Sequence, residues 1–473
     1  MPSAYNRCDT MQRSGVFSNS VDRSELDDPS CRLALDSAQF VTFLHPTRCL
    51  MMRLMTLTTN RREKRRFRSI WPITRVAGTL ARAMWGCLLA WSLVLTPGSP
   101  ANAADAPEAA NQSAAAAVAD ANANTDSGDW NFPRGNAAAS GATKTQLPDD
   151  LQVAWEFKAD EAIESTPIVN GDRVFVADYA GKIYSLSRRD GKELWRKDFE
   201  TGFSASPVFS AGLLVIGDYD GNVYALSADD GKELWRQSTG GEISGSAAIY
   251  EDKVLVACQD GKLYCFESAT GKPVWTYAAD DQIQCSPTIA GDRTFLGGCD
   301  AKLHIVDLKS GMSVGEGLPL DGPTGSTPAV QGELAVLPTH GGSVFGFDWK
   351  EKKELWRYED ELQGQEYRSS AAIAGNVAVV GSQRKQVDAL DLKTGKRIWR
   401  YTLKRFADAS PVIAGDDVWI PSTDGRLSRL SLADGTLKWS YEIRGGFAAG
   451  VAVTNNELFV ADDDGIVRCF RGK

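Results

Sequence analysis

The sequence is poor in the residues that most often bind metals or transfer protons. It has 3 histidines in 473 residues, and its 9 cysteines include no CxxC pair, no CxxCH motif and no two adjacent cysteines. These absences exclude a zinc ribbon and a c-type haem protein. They also leave little of the machinery that acid–base or metal-assisted catalysis requires.

A basic excess is lacking in most of the chain. Residues 104–473 carry 38 Lys and Arg against 54 Asp and Glu, whereas residues 1–103 carry 14 against 7. Nucleic acids are bound by basic faces, because the phosphate backbone dominates the affinity. The acidic body of this chain therefore argues against nucleic acid as a partner.

The apolar run near the N-terminus is too short to span a bilayer. Residues 84–95 form this run, basic residues at 61–66 precede it, and Ala101-Asn102-Ala103 follows it. This order is that of a secretory signal peptide. We predict a signal-peptide region over 71–103 and a periplasmic or secreted location, with an uncleaved membrane anchor as the alternative.

The segments around this region have no periodic pattern. We predict that residues 1–70 are a disordered or mis-annotated N-terminus. A start at Met51, Met52, Met55 or Met84 would make residues 1–50 an artefact of the gene model. Residues 104–150 are predicted to be a flexible linker and lead-in that is rich in Ala, Asn and Asp. The five cysteines beyond residue 103 are interpreted as small buried residues, with a disulfide between neighbouring strands as the alternative.

Internal repetition is the feature that decides the fold. Tryptophans recur about every 40 residues, at Trp155, Trp195, Trp235, Trp275, Trp356, Trp399 and Trp439. Each unit contains four short runs of apolar and β-branched residues, separated by turn signals such as Asp190-Gly191. Four strands per unit of this length are typical of a propeller blade.

The number of blades follows from the two ends of the repeat. A strand at Leu151–Lys158 precedes the first complete unit, and the last unit supplies three strands. If the N-terminal strand completes the last blade, the ring has no open edge. The sequence therefore predicts an all-β fold, an eight-bladed propeller of four-stranded antiparallel blades over residues 151–473.

Two units depart from the repeat. Val314 stands where a tryptophan is expected, and Lys352 stands where a glycine is expected. We predict that blades four and five are packed more loosely than the others.

The recurring segment Leu226–Trp235, which contains Asp230-Gly231 before its tryptophan, resembles the tryptophan-docking motif of the pyrroloquinoline-quinone (PQQ) repeat propellers. The resemblance covers residues 151–473 and recurs in register. It implies that each tryptophan packs between adjacent blades, where a large ring can bury about 200 Å².

The resemblance leaves three classes of function. Quinoprotein dehydrogenases of this family hold PQQ and Ca²⁺ on the propeller axis with residues from long insertions, whereas these units have 40 to 43 residues. We therefore expect no cofactor, no metal and no catalytic residues. The compact units resemble the BamB-type propellers, which implies a monomeric, non-enzymatic scaffold that binds envelope or secreted proteins, with outer-membrane protein assembly as its most specific form. The alternatives are a PQQ- and Ca²⁺-dependent dehydrogenase and a secreted polysaccharide-binding module.

A binding site is expected at the rim of the central channel, where the chain enters the first strand of each blade. These positions are predicted to carry Glu164, Ser206, Ser246, Gln284, Thr324, Arg368 and Asp408. Arg368 and Asp408 lie on neighbouring blades, and the sequence leaves open whether they form a solvated ion pair or anchor a ligand. Aromatic residues beside them are interpreted either as contacts for a peptide or as packing between blades: Phe203, Tyr367 and Phe447.

Overall fold

The computed structural model describes residues 128–361 and 364–473. All regular elements in these ranges are β-strands, and no helix in them is long and apolar enough to cross a membrane. The predicted N-terminal region at 1–70, the signal peptide at 71–103 and most of the linker lie outside the described residues.

The strands form eight sheets, one for each blade, and in seven blades four antiparallel strands follow one another along the chain from the inner to the outer position. Blade 1 contains β3 Ile168–Asn170, β4 Arg173–Ala177, β5 Lys182–Ser187 and β6 Glu193–Asp198. Blade 2 contains β7 Val208–Ser210, β8 Leu213–Gly217, β9 Asn222–Ser227 and β10 Glu233–Ser238. Blade 3 contains β11 Ala248–Tyr250, β12 Lys253–Cys258, β13 Lys262–Glu267 and β14 Pro273–Ala278. Blade 4 contains β15 Thr288–Ala290, β16 Arg293–Gly297, β17 Lys302–Asp307 and β18 Leu318–Pro319.

The second half of the ring repeats this arrangement. Blade 5 contains β19 Ala329–Gln331, β20 Leu334–Pro338, β21 Ser343–Asp348 and β22 Lys353–Glu359. Blade 6 contains β23 Ala372–Ala374, β24 Val377–Gly381, β25 Gln386–Asp391 and β26 Arg397–Thr402. Blade 7 contains β27 Val412–Ala414, β28 Asp417–Pro421, β29 Arg426–Ser431 and β30 Leu437–Glu442, and β1 Ala142–Thr143 pairs with β27 in parallel. Blade 8 contains β31 Ala452–Thr454, β32 Glu457–Ala461, β33 Ile466–Gly472 and, as its outer strand, β2 Leu151–Lys158.

The predicted eight-bladed propeller and its closure are confirmed. β2 pairs antiparallel with β33, with Trp155 opposite Cys469, so the two ends of the repeat complete one sheet. The strands also bury their side chains as a propeller requires. The second strand of blade 1, β4, is buried on both faces, whereas the outer strand β6 alternates between exposed and half-buried residues. The middle strands are therefore continuous apolar runs in the sequence, because both faces of each blade pack against a neighbouring blade.

Six tryptophans each join one blade to the next. The indole N–H of Trp155 donates to the carbonyl oxygen of Arg188 at 2.9 Å, and Trp195, Trp235, Trp275, Trp356 and Trp399 make the equivalent bond. The ring of Trp155 also covers Gly191, whose φ is +69° and where a Cβ would lie 2.5 Å from the ring. Glycine is thus required twice at this turn, for its backbone and for its missing side chain.

The two departures from the repeat lie on one interface. In six other blades the turn glycine packs on the tryptophan of the preceding blade. Lys352 of blade 5 therefore faces the position of Val314 in blade 4. Here Trp349 of blade 5 packs edge-on against Phe295 of blade 4, with ring centroids 5.4 Å apart. Blade 4 keeps only a two-residue outer strand, β18, whereas blade 5 keeps the seven-residue β22. Looser packing of the two blades stays a prediction.

Residues 130–143, which we call the axial segment, lie inside the ring of inner strands. Trp130 pairs with Val169 of blade 1, and the segment's carbonyl groups then accept amide N–H bonds from Phe209, Ile289, Val330, Ile373 and Ile413 of blades 2, 4, 5, 6 and 7. The sequence places these residues in a flexible lead-in. They are packed instead, because the inner strands offer backbone donors that need acceptors.

Candidate functional site

The channel has a mouth on one face of the propeller. Strands alternate in direction within a blade, so the loop that leads to each inner strand and the loop between the second and third strands lie on the same face. We call this the mouth face. The repeat places one residue from each blade at its rim: Glu164, Ser204, Ser244, Gln284, Gly325, Arg368, Asp408 and Ala448. The opposite face, which carries the other turns, is the closing face.

Three residues that the sequence places at the rim lie deeper. Ser206 and Ser246 are each two positions further along the chain than the rim residue of their blade, and Thr324 precedes its rim residue by one position. All three are at least nine-tenths buried. The register was misassigned for these blades because several adjacent residues in each loop are small and hydroxylic, so their identity does not mark the exposed position.

Glu164 is the rim carboxylate with the most developed surroundings. It is half-buried and accepts a 2.6 Å hydrogen bond from the hydroxyl group of Tyr179. Burial raises the pKa of Glu164, the bond from Tyr179 lowers it, and the nearby carboxylates of Asp408 and Asp463 raise it further. The ring of Tyr179 lies 5.5 Å from that of Tyr219 in the next blade. Blades 1 and 2 thus place an aromatic pair beside a carboxyl group.

The other predicted rim residues have polar partners near them. Arg368 is half-buried, and its Nε donates to Glu366 at 2.7 Å. Asp408 is exposed and accepts a hydrogen bond from Gln383. Gln284 is half-buried at the rim of blade 4. The charged rim residues therefore belong to local hydrogen-bond networks on the mouth face.

The predicted aromatic residues do not line the mouth. Phe203, Tyr367 and Phe447 are fully buried. Phe203 packs edge-on against Phe199 at 5.4 Å, which corresponds to packing between blades rather than to ligand contact. Tyr179 and Tyr219 are half-buried aromatic residues of the mouth face, and neither was predicted from the sequence. Their signal was the repeated Asp-Tyr-x-Gly turn of blades 1 and 2.

A belt of hydroxyl groups encircles the channel below the rim. The belt has seven members, and the amide N–H of each of the first six donates to the hydroxyl oxygen of the next blade's member at 2.8 to 3.2 Å. In chain order these are Thr166, Ser206, Ser246, Ser286, Thr327, Ser370 and Ser410. Gly450 takes the eighth position, so the belt is interrupted at blade 8. The belt ties neighbouring inner strands together without any direct pairing between blades.

Arg134 of the axial segment lies under this belt. Its two Nη groups donate to the carbonyl oxygens of Pro411 and Ala371, each at 2.9 Å, which joins the segment to blades 7 and 6. The side chain is 8% exposed, and burial lowers the pKa of Arg134 to about 9. The guanidinium group therefore remains charged at neutral pH.

A second depression lies at the seam of blades 8 and 1 on the closing face. This groove of about 710 Å³ is lined in part by Arg188, Glu457 and Arg471. Glu457 accepts from Arg188 at 2.5 Å and from Arg471 at 2.7 Å, and Arg471 also donates to the carbonyl oxygen of Arg188. These contacts fasten the closure of the ring.

A small depression of about 20 Å³ lies beside Arg134 of the axial segment. Within residues 128–361 and 364–473, no group of three or more His, Cys, Asp or Glu side chains could hold a metal ion. The five cysteines in these ranges are free, and Cys299 is the one that is not fully buried.

The fold and the site define the class: an eight-bladed propeller whose inner strands bind its own axial segment and whose mouth is rimmed mainly by polar residues. Comparison with known families identifies the chain further. The family described as outer membrane protein assembly factor BamB matches residues 138–218, 180–317 and 318–473, and the chain belongs to this family. No curated protein matches the chain.

Solved structures show the same fold at low sequence identity. BamB from Moraxella catarrhalis is 20% identical, with a TM-score of 0.59 over 68% of this chain and 98% of that chain. The quinohemoprotein alcohol dehydrogenase from Comamonas testosteroni is 14% identical, with a TM-score of 0.64 over 76% and 84%. The computationally designed Ika8 protein is 14% identical, with a TM-score of 0.62 over 68% and 99%.

Proposed function

We propose that this protein is a non-enzymatic scaffold of the cell envelope that binds another protein through its mouth face. The observation that carries the proposal is the mouth face, which combines half-buried tyrosines with charges of both signs. Membership of the BamB family supports an envelope location and a role in binding proteins. Assembly of outer-membrane proteins is the most specific form of this proposal.

The mouth face supports protein binding better than the closing face does. It combines half-buried Tyr179 and Tyr219 with charges of both signs at Glu164, Arg368 and Asp408. In the closing-face groove, Arg188, Glu457 and Arg471 are bonded to one another and fasten the ring. Tyrosine and arginine are the residue types enriched in protein interfaces. A partner can therefore gain contacts at the mouth without breaking the bonds that close the ring.

Site-specific crosslinking in the native envelope tests this proposal. A photoreactive amino acid replaces Tyr219 on the mouth face, and the same group replaces Arg189, which is 89% exposed on the closing face, as the control. We expect a discrete crosslinked protein from position 219 and none from position 189. The reverse pattern would show that the closing face is the docking surface.

Charge reversal provides a second, matched comparison. Asp408→Lys changes an exposed aspartate on the mouth face, and Asp172→Lys changes an exposed aspartate in a turn of the closing face. Capture of the crosslinked partner should fall in the first variant and persist in the second. A thermal-shift titration with PQQ and Ca²⁺ is the control for the enzymatic alternative, since a ligand that binds the folded state raises its melting temperature. We expect no shift.

One observation favours a second candidate, the polysaccharide-binding module. Sugars stack on aromatic rings and donate their hydroxyl groups to carboxylates, and the pair Tyr179 and Tyr219 stands beside Glu164. Retention on immobilised envelope polysaccharide that is lost on Tyr219→Ala, together with failure of the crosslinking test, would favour this function over protein binding.

A further inference from the structure

Most of the mouth face carries charge of one sign. From the turn of blade 8 to the loop that enters blade 4, the loops and turns of this face contain no Lys or Arg, and we call them the acidic sector. Their exposed carboxylates are Asp160, Glu161, Glu200, Asp220, Asp280, Asp281, Asp463 and Asp464. Lys182 and Lys302 of neighbouring strands pair with Asp160 and Asp280. The other exposed carboxylates of the sector take part in no ion pair within the described residues.

Blades 6 and 7 carry the opposite sign. Five exposed basic side chains lie on the turn of blade 6 and on the loops that enter blades 7 and 8, and we call them the basic sector: Arg384, Lys385, Lys404, Arg405 and Arg444. Backbone bonds join these loops, because Leu403 donates to the carbonyl oxygen of Lys385 and Ile443 to that of Gly425, each at 2.8 Å. Lys404 approaches Glu442 at 3.9 Å, and the other four form no ion pair in the part of the chain that the structure describes.

Blade 6 holds part of this positive charge in a strained turn. Blades 2, 3, 7 and 8 end the same turn with Asp-Gly, as in Asp220-Gly221, whereas blade 6 ends it with Arg384-Lys385. Lys385 has a φ of +68°, in the left-handed region that glycine adopts freely and an L-residue adopts only with strain. Its side chain is exposed and contacts no carboxylate of the described residues. Strain that is kept without local compensation is typical of functional positions.

Negative charge gathers at the rim beside the basic sector. The carboxylates of Asp408 and Asp463 lie close enough to Glu164 to raise its pKa, so three blades bring acidic groups together there. Asp408 follows Lys404 and Arg405 in one loop. A partner that crosses this loop therefore meets both signs of charge within a few residues.

We propose that the mouth face recognises a protein segment with clustered charges of both signs, whose acidic part lies on the basic sector and whose basic part lies on the rim carboxylates. This inference rests on the proposed function, since it requires a protein to dock at the mouth. Complementary charges orient such a segment across the mouth and accelerate its association. An anionic lipid surface fits less well, because the acidic sector would repel it and no large apolar side chain of the described mouth loops is exposed for insertion.

Two glycine variants separate charge from folding. Lys385→Gly removes one positive charge and relieves the left-handed backbone, whereas Ala301→Gly relieves a φ of +56° at the same turn position of blade 4 without changing the charge. Partner capture is measured with the photoreactive group at position 219, and stability by urea unfolding. Both variants should raise the unfolding midpoint, but only Lys385→Gly should reduce capture, by about two- to fivefold for one exposed charge pair. Equal capture by the two variants would count against the proposal.

Charge reversal should have a larger effect. Lys404→Glu with Arg405→Glu reverses two charges of the basic sector, and Lys393→Glu with Lys396→Glu reverses two exposed lysines in the closing-face turn of blade 6. Capture should fall about tenfold in the first double variant and stay unchanged in the second. The difference should shrink at high salt, because exposed charges are screened.

The possible failures are distinguishable. Capture by the wild type that both double variants retain would overturn the proposal and leave protein binding at the mouth intact. No capture by the wild type would overturn both. Sedimentation of the wild type with phosphatidylglycerol vesicles, lost in the Lys404→Glu and Arg405→Glu double variant, would overturn the protein segment in favour of a lipid surface.

Discussion

Replacing Gly191 by alanine tests how the blades are joined. Two costs are expected. The backbone at Gly191 has a φ of +69°, and an L-residue in the left-handed region costs about 1–2 kcal/mol. In addition, the new Cβ would lie 2.5 Å from Cε3 of Trp155, so the ring must move. Overpacking of this kind costs about 1–3 kcal/mol.

Gly171 of the same blade separates these two costs. Its φ is +53°, and no heavy atom would lie within 4 Å of an added Cβ. Gly171→Ala should therefore lower the free energy of unfolding by about 1 kcal/mol, through backbone strain alone. Gly191→Ala should lower it by about 3 kcal/mol, because it also displaces Trp155 from its 2.9 Å bond to Arg188.

The assay is urea unfolding followed by far-ultraviolet circular dichroism, with the slope of the transition compared between variants. A lower midpoint at an unchanged slope reports a change in stability. If the two variants lose the same stability, the glycine is required for its backbone alone, and the contact with the tryptophan ring does not hold the blades together.

Three further predictions concern other parts of the propeller. Lys352→Gly should stabilise the protein by about 1 kcal/mol in urea unfolding, because Lys352 has a φ of +54° and faces no tryptophan; destabilisation would show that its side chain holds the interface. Arg134→Met should lower the free energy of unfolding by about 2–4 kcal/mol, because two buried carbonyl groups lose their donors, and an unchanged midpoint would contradict this. The pKa of Glu164 is raised in the folded state, which therefore holds its proton more tightly than the unfolded chain. As pH rises from about 4.5 through the raised pKa, the wild type should lose stability relative to Glu164→Gln, and parallel pH profiles would refute this.

The fold was predictable from the sequence because its signals repeat. The tryptophans and the turn glycines are constrained by the same contact in blade after blade, so their spacing survives variation of the residues between them. The closing strand Leu151–Lys158 was predictable for a related reason, since an unpaired strand at one end and a missing strand at the other have one geometric solution.

The candidate site was predicted less well, because its residues do not repeat. Phe203, Tyr367 and Phe447 stand one position before the rim residue of their blades, and a shift of one residue moves a side chain from the mouth to the space between blades. No pattern in the sequence indicated that Arg134 would be buried or would bond to the blades. It lies in a segment whose composition is that of a linker, and its ordering depends on backbone groups of six blades that no local pattern reveals.

At the interface between blades 4 and 5, the missing tryptophan at Val314 and the missing glycine at Lys352 are two sides of the same contact. A tryptophan at position 314 would meet the Cβ of Lys352, as the ring of Trp155 would meet a Cβ at Gly191. Without that tryptophan no ring requires a glycine at 352, so Lys352 is tolerated there despite its positive φ. Trp349 packs against Phe295 at this interface. Each departure is thus tolerated because the other is present, and the seam keeps an aromatic contact that comes from blade 5 instead of blade 4.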